Sequence, residues 1–165
     1  MADPPRSYAE RKHHALELLG APAADAWVAT GSADAPGYLV PLSIGWTGTA
    51  IALVTQRRSV TAGNLVAAGT ARLALGGTRD VVTVDAALAG VHDFTDAAAT
   101  PLLDTFAAQS DWDPRESGDA AAYAVYELRP VRIQAWREAN ELAGRTLMRG
   151  GTWLEEERAN GPGAG

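Results

Sequence analysis

Three strand-like segments follow one another between residues 25 and 55, and the turns between them are too short to hold a helix. The segments are Asp25 to Thr30, Tyr38 to Trp46, and Ala50 to Thr55. A cluster of Gly, Ser, Asp and Pro separates the first two, and Thr47-Gly48 separates the last two. Because parallel neighbours need a crossover of about a dozen residues, such short turns predict an antiparallel meander.

Further strands are predicted later in the chain. Thr70 to Leu75 is one, Asp80 to Asp93 is a long β-run broken at Gly90, and Ala121 to Trp136 is the last. The total is about six or seven strands, mostly antiparallel. Closing such a sheet into a barrel removes its exposed edges. We therefore expect a mainly β fold with inserted helices, arranged as an antiparallel barrel.

Helices are predicted at three places between the strands. Ser7 and Glu10 have the spacing of a capping box, which starts a helix from about Tyr8 to Leu19. Ser59 to Ala68 predicts a short helix directly after the third strand, and Thr95 to Gln109 has apolar residues at helical spacing.

The length of 165 residues is that of one domain, which we place at residues 1–154 with the first helix included. Residues 155–165 are charged and then rich in Gly and Pro, so we expect a disordered tail. The chain has no cysteine and no apolar run of membrane-spanning length, and its first 12 residues lack a signal-peptide core. We therefore expect a cytoplasmic protein without a membrane partner.

The net charge of −6 argues against nucleic acid as a partner. Binding to a phosphate backbone depends mainly on Lys and Arg. Here Lys12 is the single lysine, and the arginines are scattered along the chain.

The junction between the third strand and the following helix concentrates groups that bind anions. Within a few residues lie Thr55, Arg57, Arg58, Ser59 and Thr61. A helix N-terminus adds free N–H groups and the positive end of the helix dipole. Asn64 follows Ser59 by about one and a half helical turns. The pattern predicts a phosphate or other anion site, and the alternative is a capped helix with a solvated Arg pair.

Pro41 lies inside the second strand, where it cannot donate a ladder hydrogen bond. It therefore indicates either a bulge or an unpaired edge. A ligand could approach the backbone at such a position, and the alternative is an ordinary edge strand.

The sequence offers no catalytic acid–base pair and no metal cluster. It has no Gly-x-Ser-x-Gly elbow, no P-loop and no dinucleotide fingerprint. His13 and His14 are adjacent and so point to different faces of a helix, which does not suit a metal pair. These absences favour a reaction carried by a cofactor.

Four segments of the chain, which together span about Asp25 to Leu154, form a recognisable pattern. They are the opening hairpin from residue 26 to 42, Thr55 to Leu65, Arg72 to Leu75 with the strand after it, and Arg129 to Trp136. In their order and spacing, these segments resemble the pyridoxamine 5'-phosphate oxidase-like family of flavin-binding split β-barrels, which includes flavin- and deazaflavin-dependent oxidoreductases.

The resemblance implies a homodimer with two cofactor sites at the subunit interface. The backbone of Val40, Pro41, Leu42 and Ser43 would lie against the flavin ring. The cofactor phosphate would be held by Thr55, Arg57, Arg58, Ser59 and Thr61, with Asn64 nearby. Trp136 and Arg145 would reach in from the partner chain.

Two positions depart from the family pattern. Many relatives carry a lysine two residues after the serine and an arginine just before the asparagine, and this chain has Thr61 and Gly63 there. A hydrogen bond to a charged group is worth roughly 1.5–3 kcal/mol. Loss of two such partners would weaken phosphate binding by at least an order of magnitude unless Arg57 and Arg58 compensate.

Our leading hypothesis is an oxidoreductase that binds flavin mononucleotide (FMN) and transfers hydride to or from a small organic substrate. The first alternative is a deazaflavin-dependent reductase, whose polyanionic cofactor tail would need a basic groove, for which the candidates are Arg57, Arg58, Arg72 and Arg79. The second is a non-catalytic flavin-binding or storage protein. The remaining hypothesis is a structural protein that binds no ligand.

Overall fold

The computed structural model of the chain describes residues 3–155. In that range the helices are α1 (Tyr8–Leu19), α2 (Val60–Ala68) and α3 (Thr100–Ser110). The strands are β1 (Asp25–Ser32), β2 (Ala35–Trp46), β3 (Ile51–Gln56), β4 (Thr70–Gly77), β5 (Asp80–His92), β6 (Tyr123–Trp136), β7 (Thr146–Arg149) and β8 (Thr152–Trp153). Apart from Glu155, the tail predicted for residues 155–165 lies outside the described residues.

Six of these strands form a closed antiparallel barrel. They are hydrogen-bonded in the order β3-β2-β1-β4-β5-β6, and β6 pairs again with β3. The closing register runs from Ile51 opposite Leu128 to Gln56 opposite Tyr123. Strands β7 and β8 extend the sheet beyond β6. The predicted antiparallel barrel with inserted helices is therefore confirmed.

Pro41 marks an unpaired edge of β2. On one side, Pro41 lies opposite Trp27 of β1 in continuous register. On the other side, β3 pairs with β2 only from Ile44 to Trp46. Because β3 does not pair with β2 at Pro41, the missing proline N–H interrupts no hydrogen bonding between β2 and β3. The break expected at Gly90 is present as a register shift between β5 and β6.

The barrel interior is filled by branched apolar side chains that alternate along the strands, among them Val28, Ile44, Leu53, Leu73, Val84 and Leu128. Helix α1 packs on this cluster through Leu19, which is fully buried. A second cluster lies on the outside of β3 and β6, where α3 buries Leu103 and Phe106. The core therefore has an inner part and an outer part that share the wall formed by β3 and β6.

Helix α1 begins with the predicted capping box. The Ser7 side chain accepts a hydrogen bond from the Glu10 N–H, and the Glu10 carboxylate accepts from the Ser7 N–H. The Tyr8 hydroxyl donates to the Leu147 carbonyl oxygen at 3.0 Å, which fixes the helix to β7. Among residues 3–155, none of the helices has the length and apolarity that crossing a bilayer requires.

A buried ionic cluster joins the segment before α1 to the segment after β6. The Glu141 carboxylate has no solvent exposure and accepts hydrogen bonds from the backbone and side chain of Arg6 and from Arg137. Arg6 also pairs with Asp80 at 2.9 Å. Burial opposes ionisation of Glu141, but these hydrogen bonds outweigh it and lower its pKa to about 2.

Glu141→Gln is predicted to lower the free energy of unfolding at pH 7 by about 3 kcal/mol, because the partly buried Arg6 and Arg137 lose their counter-charge. Because the folded pKa is depressed, wild-type stability from this group is present above about pH 4.5 and is lost as the pH falls towards about 2. Urea unfolding at several pH values measures both effects.

The matched control is Glu138→Gln, since the Glu138 side chain is 53% exposed and, within residues 3–155, pairs only with the exposed Arg79. It is expected to change stability by less than about 1 kcal/mol. Equal effects of the two substitutions would contradict the assigned role of Glu141.

Gly45 lets α3 pack directly on β2. A Cβ atom at this position would lie 2.7 Å from the Phe106 Cα and 2.8 Å from the Phe106 backbone nitrogen. Backbone atoms cannot rotate aside as a side chain can, so the helix itself would have to move. Gly45 therefore fixes the distance between the helix and the barrel wall.

Gly45→Ala is predicted to destabilise the protein by about 2 kcal/mol or more, since overpacking against backbone strains the structure. Gly63→Ala in α2 is the control, because a Cβ there meets nothing within 4 Å and alanine favours a helix. That control is expected to be neutral or stabilising in thermal unfolding. A Gly45→Ala protein with unchanged stability would show that α3 shifts freely.

Candidate functional site

The predicted anion site lies where β3 ends and α2 begins. Ser59 is the N-cap residue of α2, and its side-chain oxygen accepts a hydrogen bond from the Ala62 N–H at 3.1 Å. The Thr55 hydroxyl lies 3.3 Å from the Ser59 hydroxyl. The Ser59 carbonyl accepts from the Gly63 N–H. Two of the three predicted hydroxyl residues, Thr55 and Ser59, are therefore brought together. The first turn of α2 keeps N–H groups that have no acceptor within the helix.

The two arginines at this junction have different surroundings. The Arg57 guanidinium forms an ion pair with Asp93 and also donates to the Ala121 carbonyl oxygen at 3.3 Å. The Arg57 backbone N–H donates to the Ala122 carbonyl oxygen. Arg58 is exposed, and within residues 3–155 its side chain has no hydrogen bond or ion pair. The junction therefore presents one cation, Arg58, that is not neutralised by a neighbouring carboxylate.

Thr61 and Asn64 lie on the buried side of α2. Their exposed fractions are 2% and 6%, so neither faces solvent at the helix N-terminus. The Asn64 amide nitrogen donates to the Thr30 hydroxyl at 3.2 Å. Thr30 in turn lines a cavity of about 560 Å³ on the outside of the barrel, so Asn64 contacts this cavity through Thr30.

Arginine–carboxylate pairs lie on the barrel surface, and the group around Asp85 borders that cavity. Asp85 is bound by Arg72 from β4 and by Arg132 from β6, the latter at 2.7 Å. Burial opposes ionisation of Asp85, but the hydrogen bonds from these two arginines lower its pKa overall. Arg79 pairs with Glu138 at 3.0 Å. Arg72 and Arg79, considered above for a basic groove, are therefore both neutralised by carboxylates.

The segment from Val40 to Ser43 runs along the open edge of β2. Its residues Pro41, Leu42 and Ser43 line a cavity of about 350 Å³. The opposite wall of that cavity consists of Val54, Phe106 and Trp112, and Asp25 completes the lining. Asp25 and Trp112 are not recognisable as site residues from the sequence, because nothing local connects residues so far apart in the chain.

Trp136 and Arg145 lie together, far along β6 from the junction. The Arg145 guanidinium carbon is 5.3 Å from the centre of the Trp136 ring, and the buried Arg145 Nε has no hydrogen-bond partner among the described residues. Tyr123 pairs with Gln56 at the start of β6, whereas Trp136 is its last residue. At about 3.3 Å per residue, the two ends lie about 40 Å apart along the strand. The pair therefore does not join the junction within one chain.

An apolar strip crosses the outside of β2, β1 and β4. Trp27 lies between Pro41 and Ala74, and the next row places Leu39 opposite Ala29. Trp27 is 51% exposed and Leu39 is 59% exposed. Cross-strand partners share one face of a sheet, so these side chains form a continuous surface. Such surfaces are typical of protein interfaces.

Comparison with known proteins gives matches by structure only. No family model matches the sequence, and no curated protein matches it. An F420 reductase superimposes with a TM-score of 0.56 at 16% identity, over 71% of this chain and 93% of the other. A putative pyridoxamine 5'-phosphate oxidase from Listeria innocua gives 0.60 at 8% identity, over 77% and 98%.

A heme-binding protein from Mycobacterium smegmatis gives a TM-score of 0.59 at 17% identity, over 97% of this chain and 61% of the other. At these identities the likeness concerns the fold. The chain has the split β-barrel fold of pyridoxamine 5'-phosphate oxidase-like proteins, which confirms the resemblance found in the sequence at the level of the fold.

Proposed function

We propose that this protein is a homodimeric oxidoreductase that binds FMN and transfers hydride to or from a small organic substrate. The observation that supports this proposal most directly is the β3–α2 junction, where a capped helix N-terminus lies beside the unpaired Arg58 on a split barrel. Solved proteins of this fold include an F420 reductase and a putative pyridoxamine 5'-phosphate oxidase, which supports a flavin or deazaflavin cofactor.

The junction suits a single phosphate group. Arg58 and the N–H groups of the first turn of α2 would hold it, with the positive end of the helix dipole behind them. Ser59 and Thr55 would support this arrangement by fixing the helix start. Thr61 and Asn64 would act from the buried side of α2, where Asn64 holds Thr30.

The open edge of β2 suits the ring of the cofactor. In an antiparallel strand, every second residue directs its N–H and C=O groups away from a given neighbour. From Val40 to Ser43, β2 pairs only with β1, so the outward groups can hydrogen-bond to a planar heterocycle. When bound, a flavin supplies the hydride chemistry, and the chain supplies binding, orientation and exclusion of water.

The distribution of charge favours FMN over a deazaflavin with a polyanionic tail. Such a tail needs several free cations along a groove, but Arg57, Arg72 and Arg79 are each paired with a carboxylate. The deazaflavin reductase remains the second candidate, because the F420 reductase shares the fold over 93% of its length. Non-catalytic binding or storage is the third, since the positions of Thr61 and Gly63 carry no cation.

The homodimer is proposed from the apolar strip around Trp27 and Leu39, which is larger than isolated surface residues would explain. A second chain would cover this strip. As the family resemblance implies, the second chain would also bring Trp136 and Arg145, which pack on each other, to a cofactor on the first chain.

Titration of FMN into the purified protein, followed by quenching of flavin fluorescence, tests the cofactor. Saturable binding at micromolar concentrations is expected. Arg58→Ala should weaken it by about tenfold or more, because a charged hydrogen bond to phosphate is lost. Arg79→Ala is the control and should bind as wild type. No binding by folded wild-type protein would overturn the proposal, and tighter, salt-sensitive binding of a deazaflavin would replace FMN with that cofactor.

Sedimentation equilibrium tests the dimer. Wild type should have twice the chain mass of 17.2 kDa. Trp27→Glu should shift the equilibrium towards the monomer, because burial of an unpaired carboxylate in the strip is costly. Val91→Glu, at an exposed position beyond the Gly90 bulge of β5, should remain dimeric. A monomeric wild type would exclude a site shared between two chains.

A further inference from the structure

The cavity beside the open edge of β2 combines an apolar wall with one carboxylate. Its volume of about 350 Å³ lies within the range of small-molecule sites. Val54 and Phe106 belong to the outer core and line this cavity, and Phe106 is only 1% exposed. Pro41 adds an apolar wall from β2. The interior therefore suits the hydrocarbon part of a small ligand.

Trp112 is held over this cavity by specific contacts. Its ring packs edge to face on Phe106, with centres 5.9 Å apart, and on Tyr123 at 6.0 Å. The loop that carries it is tied to α3 by an ion pair between Arg115 and Asp104 at 2.6 Å. Trp112 nevertheless remains 42% exposed. An ordered loop therefore keeps a large aromatic surface available beside the cavity.

Asp25 places a negative charge at the same cavity. One of its carboxylate oxygens accepts a hydrogen bond from the Ser43 hydroxyl at 2.7 Å, which orients the group. Within residues 3–155, no Lys, Arg or His forms an ion pair with Asp25. Two other acidic residues that line cavities within residues 3–155, Asp85 and Glu138, each have a cationic partner. Asp25 therefore differs in having a free oxygen and no counter-charge.

We propose that this cavity binds a small organic cation with an apolar body. Its ammonium group would pair with Asp25, and its body would pack on Val54, Phe106 and Trp112. A carboxylate and an aromatic ring both attract cations and repel anions. The assignment of this ligand as the substrate rests on the proposed function, because the segment from Pro41 to Ser43 borders both the cavity and the proposed position of the flavin ring.

Calorimetric titration without FMN tests the binding site independently of the cofactor. The probes are benzylammonium, neutral benzyl alcohol and anionic benzoate, which share one ring and differ in charge. Wild type is expected to bind benzylammonium at least tenfold more tightly than benzyl alcohol and to bind benzoate most weakly. Asp25→Asn should abolish the preference for the cation, and Asp34→Asn, in the exposed turn between β1 and β2, should preserve it.

Trp112→Ala separates the aromatic contribution from the charge. It should weaken benzylammonium and benzyl alcohol alike, because both rings lose the same contact. Absence of saturable benzylammonium binding, or an unchanged preference in Asp25→Asn, would overturn the proposal. If the protein binds the cation but not FMN, the cavity assignment stands and the flavin function is wrong. If it binds FMN but not the cation, the flavin function stands and the cavity assignment is wrong.

Discussion

The pairing of β3 with β6 determines most of what this chain can present at its surface. It closes the barrel, because β3 is paired with β6 at every residue from Ile51 to Gln56. The β3–β6 pairing ends at Gln56, and α2 begins four residues later at Val60. The first turn of α2 therefore lies at the end of β3. On the other side of β3, the short pairing with β2 leaves the segment around Pro41 open. The candidate phosphate position and the candidate ring position are thus two consequences of where β3 finds its partners.

Arginine supplies most of the cationic charge, and the fold uses much of it for structure. Arg6 and Arg137 bind the buried Glu141, and Arg72 and Arg132 bind Asp85. A cation paired at short range offers little net field to a ligand, because the neighbouring carboxylate cancels it beyond a few ångströms. Arg58 remains without such a partner in the described residues. Arg58 therefore contributes more to the positive potential at the N-terminus of α2 than the paired arginines contribute to their surroundings.

The sequence predicted the features that depend on neighbours a few residues apart. The capping box at Ser7, the cap at Ser59 and the break at Gly90 are all present. It did not predict pairs such as Arg57 with Asp93 or the cavity between Asp25 and Trp112, because chain folding brings these residues together from distant positions. The role of Glu141 was also missed, since a polar turn has no local mark of burial. Interactions between residues close in sequence thus predicted the helices, strands and caps. The surroundings of each side chain depend instead on how the barrel closes.

The split barrel by itself does not select a cofactor, since proteins of this fold include an F420 reductase and a heme-binding protein. Under the proposed function, selection would come from the few side chains at the junction and at the edge of β2. Because Thr61 and Gly63 carry no charge, a phosphate bound there would depend on Arg58 and on the helix N-terminus. A site of that kind can meet one phosphate group but has little capacity for a longer polyanion. The scarcity of cations that would weaken phosphate binding at the proposed site would therefore also favour a cofactor with one phosphate over one with a polyanionic tail.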